Sequence, residues 1–284
     1  MLSTPFGDRL TQAMQERGPL CVGVDPHPGL LDSWDLEDSV NGLETFSMTV
    51  LDACAEVAAA LKPQVALFER HGAAGMAALE KLQSEAANQG VLVIADAKRG
   101  DIGFTMAAYA DTWLGQGMPL ATDAVTLSPY LGFESLRPAL DLAETHQRGT
   151  FVLALTSNPE GKSVQHVGGF RASVAGSMIE AARTENANRT WRHMGSCGLV
   201  VGATVGEALI DLGIDLSTFN GPILSPGYGA QGATAADLYR VFAGVETQVL
   251  VNSSRGVLSA GPQLTGLKAA AEAARDDLVI ALKV

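Results

Sequence analysis

The residues best suited to chemistry lie in the run Val91-Leu92-Val93-Ile94-Ala95-Asp96-Ala97-Lys98-Arg99-Gly100-Asp101-Ile102-Gly103. It opens as a continuous apolar stretch, the pattern of a strand buried on both faces. It closes in charges of alternating sign followed by a helical pattern. Alternate side chains of a strand share a face, so Asp96 and, if extended geometry lasts, Lys98 stand side by side at its C-terminal end. Arg99-Gly100 supplies a turn, and Asp101 falls where a helix N-terminus favours a carboxylate. An ion pair with a helix cap would account for this pattern, and so would a cluster of perturbed charges that serves catalysis. Lys62 is the second unusual charge. It falls near the start of an apolar strand expected over 61–68, and a buried ammonium without a partner is very costly. Asp96 can supply that partner and touch Lys98 as well. A Mg2+ site is the competing idea for Asp96 and Asp101, but the two ammonium groups would repel the metal.

Two further stretches suit a phosphate. Ser225-Pro226-Gly227-Tyr228-Gly229-Ala230-Gln231-Gly232 and Ser253-Ser254-Arg255-Gly256 each follow an expected strand. Glycines let backbone N–H groups approach an anion, and a guanidinium matches phosphate oxygens in a fork. The bland alternative is two Gly-rich turns and a solvated arginine. The histidines (His27, His71, His146, His166, His193) are scattered, none at metal-ligand spacing. His27 and His71 follow strands and could touch a ligand, though a surface role is the expectation. Cys21, Cys54 and Cys197 form no metal-type pair and lie in apolar surroundings, as buried thiols of a reducing compartment do.

The elements that must position these groups alternate along the chain. Strands are expected at 20–25, 61–68, 91–96, 123–127, 150–155, 198–202, 222–224 and 248–252. Helices are expected at 5–17, 41–60, 72–88, 101–115, 133–146, 170–190, 203–212, 233–243 and 262–281. Strict alternation implies parallel pairing, and eight such units in 284 residues match a single-domain (β/α)8 TIM barrel over 1–284. A short N-terminal helix would precede the barrel, and the 262–281 helix would close it. A doubly wound open sheet is the rival, disfavoured because no Gly-x-Gly-x-x-Gly turn follows the first strand. In a barrel the C-terminal strand ends carry the chemistry, which gathers Asp25, Asp96, Lys98, Ser128, Asn158, Gln231 and Arg255 at one mouth.

A net charge of −12 makes nucleic acid a poor partner and requires a local cationic cluster for any anionic substrate. The N-terminus is polar by residue 7, so no signal peptide is expected, and no apolar run approaches a membrane span. The expectation is a cytoplasmic protein with no membrane partner.

In family order, Val22-Gly23-Val24-Asp25, Lys62-Pro63, the Asp96-to-Gly103 signature, Ser128-Pro129-Tyr130 and Thr156-Ser157-Asn158-Pro159 resemble the orotidine 5′-phosphate decarboxylase family. The two phosphate stretches follow in the same order, and the match is to the family's longer bacterial branch, over about residues 20–257. That resemblance implies decarboxylation of orotidine 5′-phosphate to UMP, with no metal, flavin, thiamine or pyridoxal phosphate cofactor. It implies a charge array of Lys62, Asp96, Lys98 and Asp101, with Lys98 delivering a proton to C6 as CO2 leaves. Asp25 and Lys62 would hold the ribose, Ser128 the pyrimidine, and Gln231 with Arg255 the phosphate. Asn158 belongs to the loop after strand five, over 156–168, where the family's branches differ most. The resemblance further implies a homodimer in which Asp101 enters the neighbouring subunit's site and Ile102 and Thr105 lie at the contact. Mg2+-dependent sugar-phosphate decarboxylases and aldolases of the same suprafamily share Asp-x-Lys-x-x-Asp, but place a carboxylate at strand two where this chain has Lys62. A non-catalytic phosphate-binding barrel would be expected to have lost Lys98 or Asp96.

Overall fold

The computed structural model describes residues 4–228 and 234–284. The chain opens with α1 (Phe6–Arg17) and β1 (Leu20–Val24), then α2 (Pro28–Ser33), α3 (Val40–Cys54) and β2 (Ala60–Pro63). Next come α4 (Val65–Glu69), α5 (Gly72–Asn88), β3 (Leu92–Arg99), α6 (Gly103–Leu114) and β4 (Ala124–Leu127). A 3-10 turn at Phe133–Leu136 leads into α7 (Arg137–Thr145), then β5 (Gly149–Leu155), α8 (Lys162–Gln165), α9 (Val174–Ala187) and β6 (Cys197–Val201). The remainder is α10 (Gly206–Leu212), β7 (Ile223–Pro226), α11 (Ala235–Phe242), β8 (Val249–Ser253), α12 (Arg255–Leu258) and α13 (Leu264–Leu282).

All eight strands pair in parallel and in chain order, and β1 closes on β8 through Cys21↔Asn252, so the sheet is a (β/α)8 barrel rather than an open one. Apolar runs at every strand suit a sheet covered on both faces. Inside the barrel Ile94, Ala124, Phe151, Val200, Leu224 and Leu250 pack together, and Phe6 and Leu10 of α1 plug the N-terminal end. Phe6 meets Phe151 edge-on at 5.9 Å. A Cβ on Gly149 would fall 2.1 Å from the Phe6 ring, so glycine there admits the plug. Outside, helices such as α3, α5 and α13 bury their apolar stripes against the strands. With the N-terminal end of the barrel stoppered by α1, the barrel interior opens at its C-terminal mouth.

Several boundaries differ from those expected. The second strand ends at Pro63, and residues expected to continue it form α4. Proline donates nothing to the ladder, and Val65 and Phe68 then bury one face at helical spacing. Lys62 therefore stands at the end of its strand, at the mouth, and not near its start. The helix expected over 41–60 stops at Cys54, because Ala59 and Ala60 join the barrel-interior core. In the other direction, β3 runs on to Arg99 and α6 begins only at Gly103. Asp101 caps nothing: its Oδ1 accepts the N–H of the adjacent Ile102 at 2.8 Å. The 170–190 helix is shorter, and α12 follows β8 unannounced by any long periodic run.

Candidate active site

A cavity of about 370 Å3 opens at the C-terminal mouth. Period-two alternation decides what lines it. Lys62 comes from β2 and Gln64 from just past its end, Asp96 and Lys98 from β3, Thr126 from β4, Asn252 from β8 and Ser254 from just past its end. The facing wall is apolar, built from Leu153, Val200 and Leu224 of β5, β6 and β7. Asp25, His27 and Arg255 complete the rim.

Asp96 is the centre of the polar half. Its Oδ2 accepts from Lys62 Nζ at 2.9 Å and Gln64 Nε2 at 3.1 Å; its Oδ1 accepts from Lys98 Nζ at 2.6 Å and Thr126 Oγ1 at 3.0 Å. Two donors on each oxygen satisfy a carboxylate that would otherwise be buried at heavy cost. Burial alone would push the Asp96 pKa up, but the Lys62 and Lys98 ammonium groups outweigh it and hold the carboxyl well below its ordinary range. Burial likewise presses the Lys62 pKa down, and the Asp96 and Asp25 carboxylates more than reverse this, so that it stays charged above the ordinary lysine range. Burial pushes the Cys21 thiol, near Lys62, up to about 12, which removes it as a nucleophile. Lys98 has φ of 47°, left-handed for a residue with a Cβ, within a register shift between Ala95 and Arg99 on the β4 side. Such strain collects where function constrains the backbone.

These shifts predict a pH signature. A carboxylate with a lowered folded pKa stabilises the fold fully above its unfolded value and loses that contribution as pH falls. A lysine with a raised folded pKa contributes fully below its unfolded value and loses it as pH rises. The pair is therefore at full strength between about pH 4 and 10. Asp96→Asn leaves Lys62 buried without its hydrogen-bonded counter-charge, a loss of about 3–5 kcal/mol at neutral pH. The gap between wild type and Asp96→Asn in urea unfolding should shrink as pH drops below about 4. A gap that is constant with pH would mean that the carboxylate charge does not contribute.

The other expected residues are distributed unevenly. Asp25 lines the cavity with Oδ1 buried and unpartnered, and Arg255 lies at its edge. Ser128 sits outside the lining, its N–H donating to Arg99 O at 2.7 Å. There it packs on Gly100, whose hydrogen allows an approach that a Cβ, 2.1 Å from Ser128 O, would block. Asn158 is also outside and exposed, accepting from Thr156 Oγ1 at 2.6 Å; Thr156 is the loop residue that reaches the cavity. Asp101, Ile102 and Thr105 do not line this mouth. Gln231 lies outside the described residues. His27, expected at the surface, is exposed but lines the rim, and its Nδ1 accepts the Leu30 N–H at 3.3 Å to cap α2. Gln64, Thr126 and Asn252 carry no signal of their own in the sequence, and Ser254 belongs to the stretch expected to hold a phosphate. Gln64 lies two residues from Lys62, and Asn252 and Ser254 lie two apart, a spacing that a strand makes one face; Thr126 is brought to Asp96 by the pairing of β4 with β3. Among the described residues, no three His, Cys, Asp or Glu side chains converge as a metal site would require, and no helix is long and apolar enough to cross a membrane.

Fold and site together define a (β/α)8 barrel with lysine–carboxylate pairs at its C-terminal mouth, the end at which enzymes of this fold hold their active sites. The sequence matches the family described as orotidine 5′-phosphate decarboxylase / HUMPS over residues 18–270, and the chain belongs to that family. It is 56% identical to orotidine 5′-phosphate decarboxylase of Streptomyces coelicolor over 94% of this chain and 95% of that one. It is 51% identical to the enzyme of the same name from Salinispora arenicola, over 98% of both chains. The crystal structure of a Streptomyces avermitilis protein assigned to the same enzyme superposes with a TM-score of 0.93 at 50% identity, covering 100% of this chain and 98% of that one. The reaction is therefore carboxy-lyase chemistry, the conversion of orotidine 5′-phosphate to UMP and CO2 in pyrimidine biosynthesis.

Proposed function

We propose that Lys62, Asp96, Lys98 and Asp101 form the charge array that carries out this decarboxylation, with Lys98 as the proton donor to C6. The observation that carries the reading is the single carboxylate of Asp96 held between two ammonium groups, opposite an apolar wall. Loss of CO2 leaves negative charge on a ring carbon, and prearranged ammonium groups stabilise it best where water is excluded. The Leu153, Val200 and Leu224 wall suits a neutral departing molecule. Asp25, with an unpartnered acceptor, and Lys62 hold the ribose hydroxyls. Ser128 holds the pyrimidine, and Asn158 contributes to substrate binding from the loop after β5. Gln231 and Arg255 hold the phosphate, and that grip supplies binding energy expressed at the distant reacting carbon.

The active unit in this reading is a cytoplasmic homodimer, with residues 1–284 of each subunit acting as one barrel. Ile102 at 61% exposure and Phe104 at 96%, at the start of α6 beside Asp101, and Tyr130 at 80% and Leu131 at 54%, on the loop after β4, are exposed apolar side chains suited to such a contact. Ile102 and Thr105 lie in that contact, and Asp101 turns into the partner's mouth.

No cofactor enters the reading, because Asp96 already has its oxygens filled by donors and the array supplies its own cations. A spectrophotometric assay with orotidine 5′-phosphate should therefore give equal rates with and without EDTA. Loss of activity on chelation, restored by Mg2+, would favour sugar-phosphate chemistry instead. Arg255→Ala should lower kcat/KM by about a hundredfold, the scale of losing charge-assisted phosphate bonds. The defect should largely vanish with a substrate that lacks the phosphate. Equal damage to both substrates would make Arg255 structural.

A further inference from the structure

We infer that Thr126 is a positioning residue for decarboxylation, fixing Lys98 and Asp96 to each other through one hydroxyl. The inference rests on the reading of Lys98 as the proton donor. Thr126 is 1% exposed, in the interior layer of β4, and lines the cavity. Its Oγ1 accepts the Lys98 backbone N–H at 2.9 Å and lies 3.0 Å from Asp96 Oδ1. Chemistry sets the direction of both bonds. A backbone N–H can only donate and an ionised carboxylate can only accept, so the hydroxyl proton points to Asp96.

Lys98 is thereby held at both ends. Its ammonium meets Asp96 Oδ1 at 2.6 Å, and its amide meets the hydroxyl that donates to that same oxygen. The clamp falls where the backbone needs one. Lys98 is left-handed, and the β3–β4 register shifts between Ala95 and Arg99. Within that shift the Lys98 N–H goes to a side chain. Without the hydroxyl, nothing else on β4 holds the ammonium and Asp96 Oδ1 in line with each other. Asp96 Oδ2 would be unaffected, since Lys62 and Gln64 hold it from the opposite side.

Valine matches threonine in shape and favours strands, but supplies neither bond. Thr126→Val should lower kcat about a hundredfold, the scale of a catalytic group displaced by roughly an ångström. KM for orotidine 5′-phosphate and the affinity for UMP, measured by titration calorimetry, should stay close to wild type, because the phosphate and ribose contacts remain. Thr126→Ser restores the hydroxyl and should recover most of the lost rate. Should the valine variant not fold, Thr126→Ser against Thr126→Ala makes the same comparison, since they differ by one oxygen. A Thr126→Val enzyme with wild-type kcat, a serine variant no better than alanine, or a UMP affinity that falls in step with kcat would each overturn the inference. Lys98→Ala, assayed alongside, separates two kinds of failure. If Lys98→Ala keeps its rate, the proton-donor reading has failed. If it is dead while Thr126→Val is fully active, only the positioning role has failed.

Discussion

Lys98→Ala is expected to lower the decarboxylation rate by at least about 10⁴-fold, the combined scale of losing a general acid and a preorganised charge. The lysine side chain lines the mouth with its ammonium 2.6 Å from Asp96 Oδ1, and it keeps 46% of its surface accessible from the cavity. Alanine removes the proposed proton source and half of the cationic pair around Asp96, while Lys62 remains to balance the carboxylate. The fold should therefore survive, and UMP should still bind through the phosphate and ribose contacts. Lys98→Arg should not restore the rate, because a guanidinium keeps its charge but does not release a proton near neutral pH. The measurements are single-turnover rates with orotidine 5′-phosphate and UMP affinity by titration calorimetry. An alanine variant within tenfold of wild type would assign the proton transfer to another group.

The barrel was legible because its signal is repeated. Each apolar run of strand length is followed by a helical stripe, and eight repetitions leave few other architectures. Charges that interrupt such runs were legible too, which is why Lys62, Asp96 and Lys98 stood out. What sequence could not show was which strand end a charge occupies when turn chemistry is ambiguous. The apolar run over 61–68 predicts Pro63 inside a strand, whereas the strand stops there. Thr126 escaped notice because threonine in Ala-Val-Thr-Leu is an ordinary strand former, and its role depends on the stagger that brings β4 level with Asp96. Asn252 was hidden in the same way, as one polar residue ending an apolar run. Asp101 illustrates the opposite error. Its place before a helix suggested a cap, yet Ile102 holds the cap position and the carboxylate bonds only the neighbouring N–H.

Mixing two inactive variants should restore activity if Asp101 serves the partner's site. Asp101 lies beyond the Arg99-Gly100 turn, outside the lining of its own cavity and next to the exposed Ile102 and Phe104. In the proposed dimer, a side chain so placed would complete the neighbouring subunit's site. Lys98→Ala and Asp101→Ala should each be nearly inactive alone, since in a homodimer each substitution damages both sites. After subunit exchange, a mixed dimer carries one site that lacks both groups and one in which both are present. Random exchange makes about half of the dimers mixed, so activity should rise to about one quarter of wild type for closed twofold pairs. The experiment requires the two purified variants, a mild dissociation step, proof of exchange by a mass or affinity tag, and the decarboxylation assay. Recovery should follow the mixed fraction as the input ratio is varied, peaking at equal amounts. Exchange without recovery would place Asp101 in its own subunit's chemistry and make each barrel self-sufficient.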